Sequence, residues 1–206
     1  MLQIGVQTKN MPSMAEAVAK RCVCTCAGRP TIADGITVKT PGDVTFGLVS
    51  QYVDEIVTVD DEEIANAILL MLERIKTVSE GAGAAAVAAV MNRLPEYKNC
   101  NIAAVVSGGN IDVNMMSRII NKGMAKSGRK VVFDTVIPDR PGSLWKLLQL
   151  TADTGANVLA VTHKRETPDV ELGAVTVELE LETADDQHIQ DIRERMEEHQ
   201  YHVNIR

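Results

Sequence analysis

Between Gly173 and Glu182 the sequence alternates strictly, with Val175, Val177, Leu179 and Leu181 on one side and Thr176, Glu178, Glu180 and Glu182 on the other. Successive side chains of a strand point to opposite faces, so this run satisfies itself only as a strand with one face buried and the other in water. A strand of that kind demands a covering layer, and its neighbours supply one. Residues 130–137 form a second β-rich run. The turn Pro138-Asp139-Arg140-Pro141-Gly142 leads into Leu144, Leu147, Leu148 and Thr151 at helical spacing, closed by Gly155. Residues 157–163 read as a further strand, Ile189, Ile192 and Met196 mark a second helix, and Tyr201, Val203 and Ile205 a last strand. The order β-α-β-β-α-β within about 75 residues is the ferredoxin-like plan.

Charge marks where this module begins. Residues 1–129 carry 13 basic and 13 acidic side chains and residues 130–206 carry 8 and 15, so the whole net charge of −7 resides in the second segment. The polar stretch Lys126-Ser127-Gly128-Arg129 stands at the change and reads as a linker, which gives expected domains over 1–125 and 130–206 joined by 126–129.

The first segment follows another rhythm. Residues 2–6 read as a short strand, and Ser13 with Glu16 as a capping box opening a helix to about Lys20. Thr40-Pro41-Gly42-Asp43 reads as an N-cap with Pro at the first helical position, starting a helix to about Gln51, and residues 52–59 as extended. Asp60 with Glu63 caps a longer helix whose apolar face is Ile64, Ile68, Leu72 and Ile75. An alanine-rich helix over about 84–94 comes next, then a buried-type strand at 102–106, and Ser107-Gly108-Gly109-Asn110 ahead of another helix. Strands alternating with helices imply a parallel sheet. A segment that opens on a strand with no helix before it, and holds three or so strands, looks like the back half of a larger α/β domain.

Composition excludes several functions. The acidic balance leaves no basic surplus to neutralise phosphates, which argues against nucleic-acid binding. Aromatic residues make up 3%, with Trp145 the one tryptophan, so base-stacking platforms are not expected. No apolar run reaches the roughly 18 residues of a membrane helix, and residues 1–10 lack a secretory pattern, so a cytoplasmic protein with no membrane partner is expected. Cys22, Cys24 and Cys26 form a C-x-C-x-C run without the C-x-x-C spacing of zinc knuckles or redox motifs, and are expected to be reduced; Cys100 stands apart. His199 and His202 have no cluster of ligands nearby in sequence, and no metal is expected.

Three motifs carry chemistry. Gly81-Ala82-Gly83-Ala84-Ala85-Ala86 spells a dinucleotide pattern, but that fingerprint needs a strand before it and here a helix precedes, so close helix packing is the reading. Glu80, a carboxylate at the mouth of that small-residue helix, is either an N-cap or a site residue, since burying a charge without a use is costly. Ser107-Gly108-Gly109-Asn110 closes an apolar strand at the end where open α/β sheets bind ligands, and reads as a ligand loop or as a tight turn.

Four motifs in order bring a family into view: Thr31-Ile32-Ala33-Asp34-Gly35-Ile36, Val53-Asp54-Glu55-Ile56-Val57, Lys76-Thr77-Val78-Ser79-Glu80-Gly81-Ala82-Gly83-Ala84 and Ser107-Gly108-Gly109-Asn110-Ile111-Asp112. They resemble the C-terminal half of the pyridoxal-phosphate threonine dehydratases (threonine ammonia-lyases) and related serine racemases. Residues 130–206, with Asp139-Arg140-Pro141-Gly142-Ser143-Leu144, resemble the ACT regulatory domain that follows many of them. The resemblance implies part of an α/β fold-type-II (tryptophan-synthase-β-like) catalytic domain. By position, Ser107 would hydrogen-bond the pyridine nitrogen of pyridoxal 5′-phosphate, with Gly108, Gly109 and Gly35 lining the ring and Glu80 beside Ser107. A neutral hydroxyl there weakens the electron sink and favours prompt β-elimination. The implied reaction removes the α-proton of threonine, expels the β-hydroxyl, and hydrolyses the enamine to 2-oxobutanoate and ammonia. Asp139, Arg140, Pro141 and Gly142 would take a small amino-acid effector, or else form an ordinary strand-to-helix turn. The ACT domain implies a homo-oligomer.

Departures from the family pattern matter equally. The Schiff-base lysine in its Ser-Phe-Lys-x-Arg-Gly context and the tetraglycine phosphate cradle belong to the family's N-terminal half and do not occur in this chain, so it holds no catalytic residue and the cofactor is expected only together with that half. Where the family's cation site reads Gly-Val-Glu, this chain has Gly5-Val6-Gln7, with Ser13 further on. The expected protein is therefore a C-terminal piece of a threonine dehydratase, inactive alone, with an ACT domain. The alternative is a stand-alone amino-acid-binding regulatory protein working through that domain.

Overall fold

Two separate apolar cores organise the molecule. The computed structural model describes residues 1–165 and 170–205; residues 166–169 and Arg206, which fall in the 130–206 segment, lie outside the described residues. The chain divides into compact units Met1–Ile120 and Asn121–Arg206. That division falls inside a helix and a few residues before the polar 126–129 stretch.

In the first unit, β1 (Ile4–Thr8) and β2 (Glu55–Val59) pair in parallel, with Ile4 opposite Glu55 and Thr8 opposite Val59. Four helices accompany them, α1 (Ser13–Lys20), α2 (Asp43–Tyr52), α3 (Asp61–Leu70) and α4 (Gly81–Asn92), and α5 (Val113–Lys126) runs across the division. Val59, Ile64, Ala67, Ile68 and Met71 pack against Ala84, Ala85, Ala88 and Ala89, the alanines allowing α4 to lie close to α3. The Asp60–Glu63 capping box forms as the sequence predicts. Glu63 N–H donates to Asp60 Oδ1 at 3.0 Å and Asp60 N–H to Glu63 Oε2 at 2.8 Å. Arg93, at the end of α4, then joins Glu63 at 2.9 Å.

Four local expectations are corrected. Ser13 does not cap α1: Pro12 holds that position, the Ser13 hydroxyl donates to Val38 O, and Glu16 turns to Lys20 and Cys26. A tertiary acceptor outcompeted the local one. Thr40 does not cap α2, which starts two residues later behind Gly42, because the Thr40 hydroxyl bonds Thr25 at 2.9 Å. The apolar face of α3 ends on Met71 and leaves Ile75 64% exposed, since the chain passes into a π-helical turn, Met71–Ile75, which rotates the face. Residues 102–106 form no strand, and Ile102, Val105 and Val106 are 44%, 77% and 42% exposed. Apolar composition signals a wish for burial, but a parallel strand also needs a neighbour, and among the described residues none lies alongside.

The second unit runs β3 (Lys130–Pro138), α6 (Ser143–Asp153), β4 (Asn157–Lys164), β5 (Ala174–Glu182), α7 (Asp186–Glu198) and β6 (Val203–Ile205). The sheet is antiparallel in the order β4-β5-β3-β6. Val175, Val177, Leu179 and Leu181 face Val131, Phe133 and Ile137 and the helix residues Leu147, Ile192 and Met196. The other face carries ion pairs, Lys164 to Glu178 at 2.8 Å and Lys130 to Glu180. Gly155, at φ +84°, follows α6, where a left-handed residue ends a helix without a Cβ clash.

These placements set two magnitudes. Asp60→Ala is expected to cost the first unit about 1 kcal/mol through the lost cap. Leu179→Ala, at a fully buried position, is expected to cost about 2–5 kcal/mol. Urea denaturation of each variant followed by circular dichroism checks both.

Candidate functional site

The N-terminus of α4 is the point on which the site is built. A Cβ on Gly81 would lie 2.1 Å from Ile32 O, and one on Gly83 would lie 1.9 Å from Ser107 O. Only glycine at both positions lets the helix touch two backbone segments at once, so the Gly81–Ala86 run serves close packing, as the helix before it suggested. The first segment is the Thr31–Ile36 stretch. Thr31 Oγ1 donates to Asp61 and bonds Thr8 Oγ1 at 3.1 Å, Ala33 N–H donates to Thr31 Oγ1 at 3.2 Å, and a short 3-10 turn, Asp34–Ile36, presents Gly35. The second segment is the loop Ser107–Asn110.

Glu80 stands between them. It occupies the N-cap position of α4, yet its side chain takes no capping bond. Its Oε1 lies 2.3 Å from where a Cβ of Gly108 would be, and 3.5 Å from where one of Gly35 would be. The carboxylate thus takes the place a side chain of Gly108 would need and comes into contact range of Gly35. Gly108 has φ +80°, a conformation that glycine adopts freely. Glu80 N–H donates to Gly108 O at 3.3 Å.

Ser79, which the sequence reading did not single out, binds this junction. It is fully buried, and its hydroxyl contacts Gly108 O at 3.4 Å and Glu80 O at 3.1 Å. A small hydroxylated residue next to Glu80 was the one signal available for it. Ser107, Gly108, Gly109 and Gly35 are exposed and Glu80 is half-buried. Gly109 passes close to Val78 O. The structure therefore brings Gly35, Glu80 and Gly108 into one cluster, with Ser107 and Gly109 flanking it in the chain.

The second-unit candidates lie at the start of α6. Asp139 accepts from Arg165 at 3.1 and 3.4 Å and its N–H donates to Gly173 O at 2.8 Å. Arg140 N–H donates to Pro138 O and Ser143 N–H to Arg140 O. Pro141 and Gly142 are exposed, Gly142 has φ +89°, and nothing lies within 4 Å of the place a Cβ would take.

At the position of the family's cation ligands, Gln7 Oε1 accepts from Ala15 N–H at 2.8 Å and the Ser13 hydroxyl serves Val38 O, so both side chains are engaged in the fold. Among the described residues no group of three His, Cys, Asp or Glu side chains converges to hold a metal ion, and no helix is long and apolar enough to cross a membrane.

A helix N-terminus meeting glycine-rich loops beyond a parallel strand pair is how α/β enzymes hold a small ligand. The family model described as pyridoxal-phosphate dependent enzyme matches residues 2–108, a stretch that contains this whole cluster up to Gly108, and the chain belongs to that family, whose cofactor is pyridoxal phosphate. It is 54% identical to the L-threonine ammonia-lyase of Thermotoga maritima over 202 residues, which is 98% of this chain and 50% of the relative. It is 38% identical to the L-threonine ammonia-lyase of Geobacter sulfurreducens over 202 residues, again 98% of this chain and 50% of the relative. Among solved structures, the processed form of threonine deaminase isoform 2 from Solanum lycopersicum is 28% identical over 59% of this chain and 36% of its own, with a TM-score of 0.56. The chain spans about half the length of the curated relatives it matches.

The glycines make opposite predictions by location. Gly83→Ala should unfold or grossly destabilise the first unit, because the added carbon meets backbone. Gly47→Ala, inside α2 with open space around it, should stabilise by about 0.5–1 kcal/mol. Thermal melts of the two variants side by side measure the contrast.

Proposed function

We propose that this chain is the cofactor-facing C-terminal part of a threonine ammonia-lyase followed by an ACT-type regulatory module, and that it acts on L-threonine, giving 2-oxobutanoate and ammonia, when joined by the family's N-terminal half. The observation that carries the reading is the Glu80 carboxylate set between Gly35 and Gly108 beside an exposed Ser107.

The residues present fit one edge of pyridoxal phosphate: Gly35, Gly108 and Gly109 carry no side chain to stand between the loops and a flat ring, and the exposed Ser107 offers a neutral hydroxyl. Bound there, the cofactor supplies an electron-withdrawing ring that makes the substrate's α-proton acidic. Ser107 would hold the ring nitrogen through its hydroxyl, which donates or accepts without adding charge. Glu80, tied to the loop through its own N–H, would fix the loop's distance from α4, and Gly35 and Gly109 would admit the ring without steric opposition. The residues supplying a covalent anchor and a phosphate cradle belong to the other half. Lys76, in the same motif as Glu80, spends its ammonium on Glu73 O at 2.7 Å.

The second unit supports the regulatory part of the reading through its β-α-β-β-α-β order and four-stranded sheet. Gly142 and the first turn of α6 would receive the carboxylate of a small amino-acid effector. The edge strand β4, with Leu159 47% and Val161 40% exposed, would pair with a second copy and give a homo-oligomer.

Three experiments test this. Alone with pyridoxal phosphate and threonine, the chain is expected to release no 2-oxobutanoate and to yield no borohydride-fixed cofactor adduct. Mixed with a polypeptide carrying the N-terminal half of the Thermotoga relative, it is expected to gain turnover that Ser107→Ala cuts at least tenfold. Turnover by the chain alone, or a Ser107→Ala complex as active as its parent, overturns the catalytic reading. Titrating the full chain calorimetrically with a panel of amino acids is expected to show binding that Gly142→Val abolishes. Binding without any complementation favours the stand-alone regulatory protein.

A further inference from the structure

Three of the four cysteines crowd the exit of α1, and neither the cofactor cluster nor the second unit uses them. Arg21, at φ +56°, turns the chain out of the helix, and Cys22 N–H donates back to Ala17 O at 3.1 Å. Their surroundings grade the three thiols: Cys22 is exposed, Cys24 half-buried and Cys26 4% exposed. Cys26 donates to Glu16 Oε1 at 3.4 Å. Burial, then the Glu16 bond, pushes this thiol up from its ordinary value, so it stays protonated and unreactive. The other Glu16 oxygen holds Lys20 Nζ at 2.9 Å, and the same ammonium lies 3.9 Å from Cys24 Sγ. The Glu16 hydrogen bond first, and the Cys24 sulfur next, raise the Lys20 ammonium above its ordinary value. Cys24 therefore has a permanent cation at hand, and Cys22 stands in solvent two residues away.

We propose that Cys22 and Cys24 are a peroxide-oxidised thiol pair, with Cys24 as the attacking sulfur and Cys22 as the resolving one. Cys24 Sγ, 3.9 Å from Lys20 Nζ, gives up its proton and attacks one oxygen of hydrogen peroxide. The O–O bond breaks, leaving a sulfenic acid on Cys24 and a hydroxide that takes up the proton the thiol released, giving water. Cys22 Sγ then attacks that sulfur, the S–S bond forms, and the departing hydroxide takes the Cys22 proton and leaves as water. Two electrons pass from the sulfurs to the peroxide. Two extended residues separate Cα atoms by about 6.6 Å, within the span a disulfide bridges, and the bend at Cys22 shortens it. A ring so small is strained, which makes the bond easily reduced. The oxidised pair would also lie on the loop that presents Gly35: Cys26 N–H donates to Lys39 O at 2.9 Å and Thr25 bonds Thr40, clasping residues 25–40 as one loop.

The test uses the full chain, reduced, then exposed to stoichiometric hydrogen peroxide, unfolded, labelled with N-ethylmaleimide and digested with trypsin. The peptide 22–39 is expected to carry a single label, on Cys26, and to have lost two hydrogens, while Cys100 is labelled fully; dithiothreitol restores three labels. Lys20→Met is expected to slow the loss of label about fivefold, the effect of removing a unit charge some 4 Å away in water. Cys22→Ser is expected to leave a dimedone-reactive sulfenic acid on Cys24. Three labels retained on 22–39, a bridge that includes Cys26, prior oxidation of Cys100, or a Lys20→Met variant that oxidises at the parent rate would each overturn the proposal.

Discussion

The first unit depends on how near α4 comes to two stretches of bare backbone. Gly81 against Ile32 O and Gly83 against Ser107 O leave no room for even one methyl group. This contact does more than fill space: it fixes the Thr31–Ile36 stretch and the 107–110 loop relative to the same helix end. With both held, the Glu80 carboxylate reaches Gly35 and Gly108 together. The alanines further along α4 extend the principle, since Ala84, Ala85, Ala88 and Ala89 bring it against Ile64, Ile68 and Met71. A helix of small residues is a weak source of hydrophobic free energy per residue, and its use here is close approach.

The second unit is organised by a different constraint, the two-sidedness of β5. Its apolar side closes a core with α6 and α7, while its polar side is laced by cross-strand pairs such as Lys164 with Glu178 and Asn157 with Glu182. Exposed pairs of that kind add little stability. They do penalise a register slip, which would place like charges opposite one another and turn the apolar row to water. The two units thus solve burial in contrasting ways, one by shaving side chains and the other by alternating them.

Elements defined by local signals were legible in the sequence. The Asp60–Glu63 box formed because both partners lie within one turn, and the 174–182 strand because every second residue repeats the same instruction. Legibility failed where a side chain found a distant partner. Ser13 and Thr40 have the right chemistry for caps, but Val38 O and Thr25 lie nearer once the chain is folded. Residues 102–106 show the limit from the other direction: their apolar character is plain, while the ladder a strand requires is a property of its neighbours.

For the candidate site the division is similar. The residue types of the glycine loops and the family they belong to were readable from the one-dimensional order of motifs, because each is a short run of constrained residues. Whether Glu80 caps its helix or faces the loops could be decided only in three dimensions, as could the part of Ser79 and the separate surroundings of Cys22, Cys24 and Cys26. Sequence determines which local conformations are affordable to the backbone, through sterics and hydrogen bonds that act within a few residues. Which of two equally good acceptors or neighbours a side chain takes depends on distances set by packing between segments tens of residues apart, and that is what the tertiary structure alone decided.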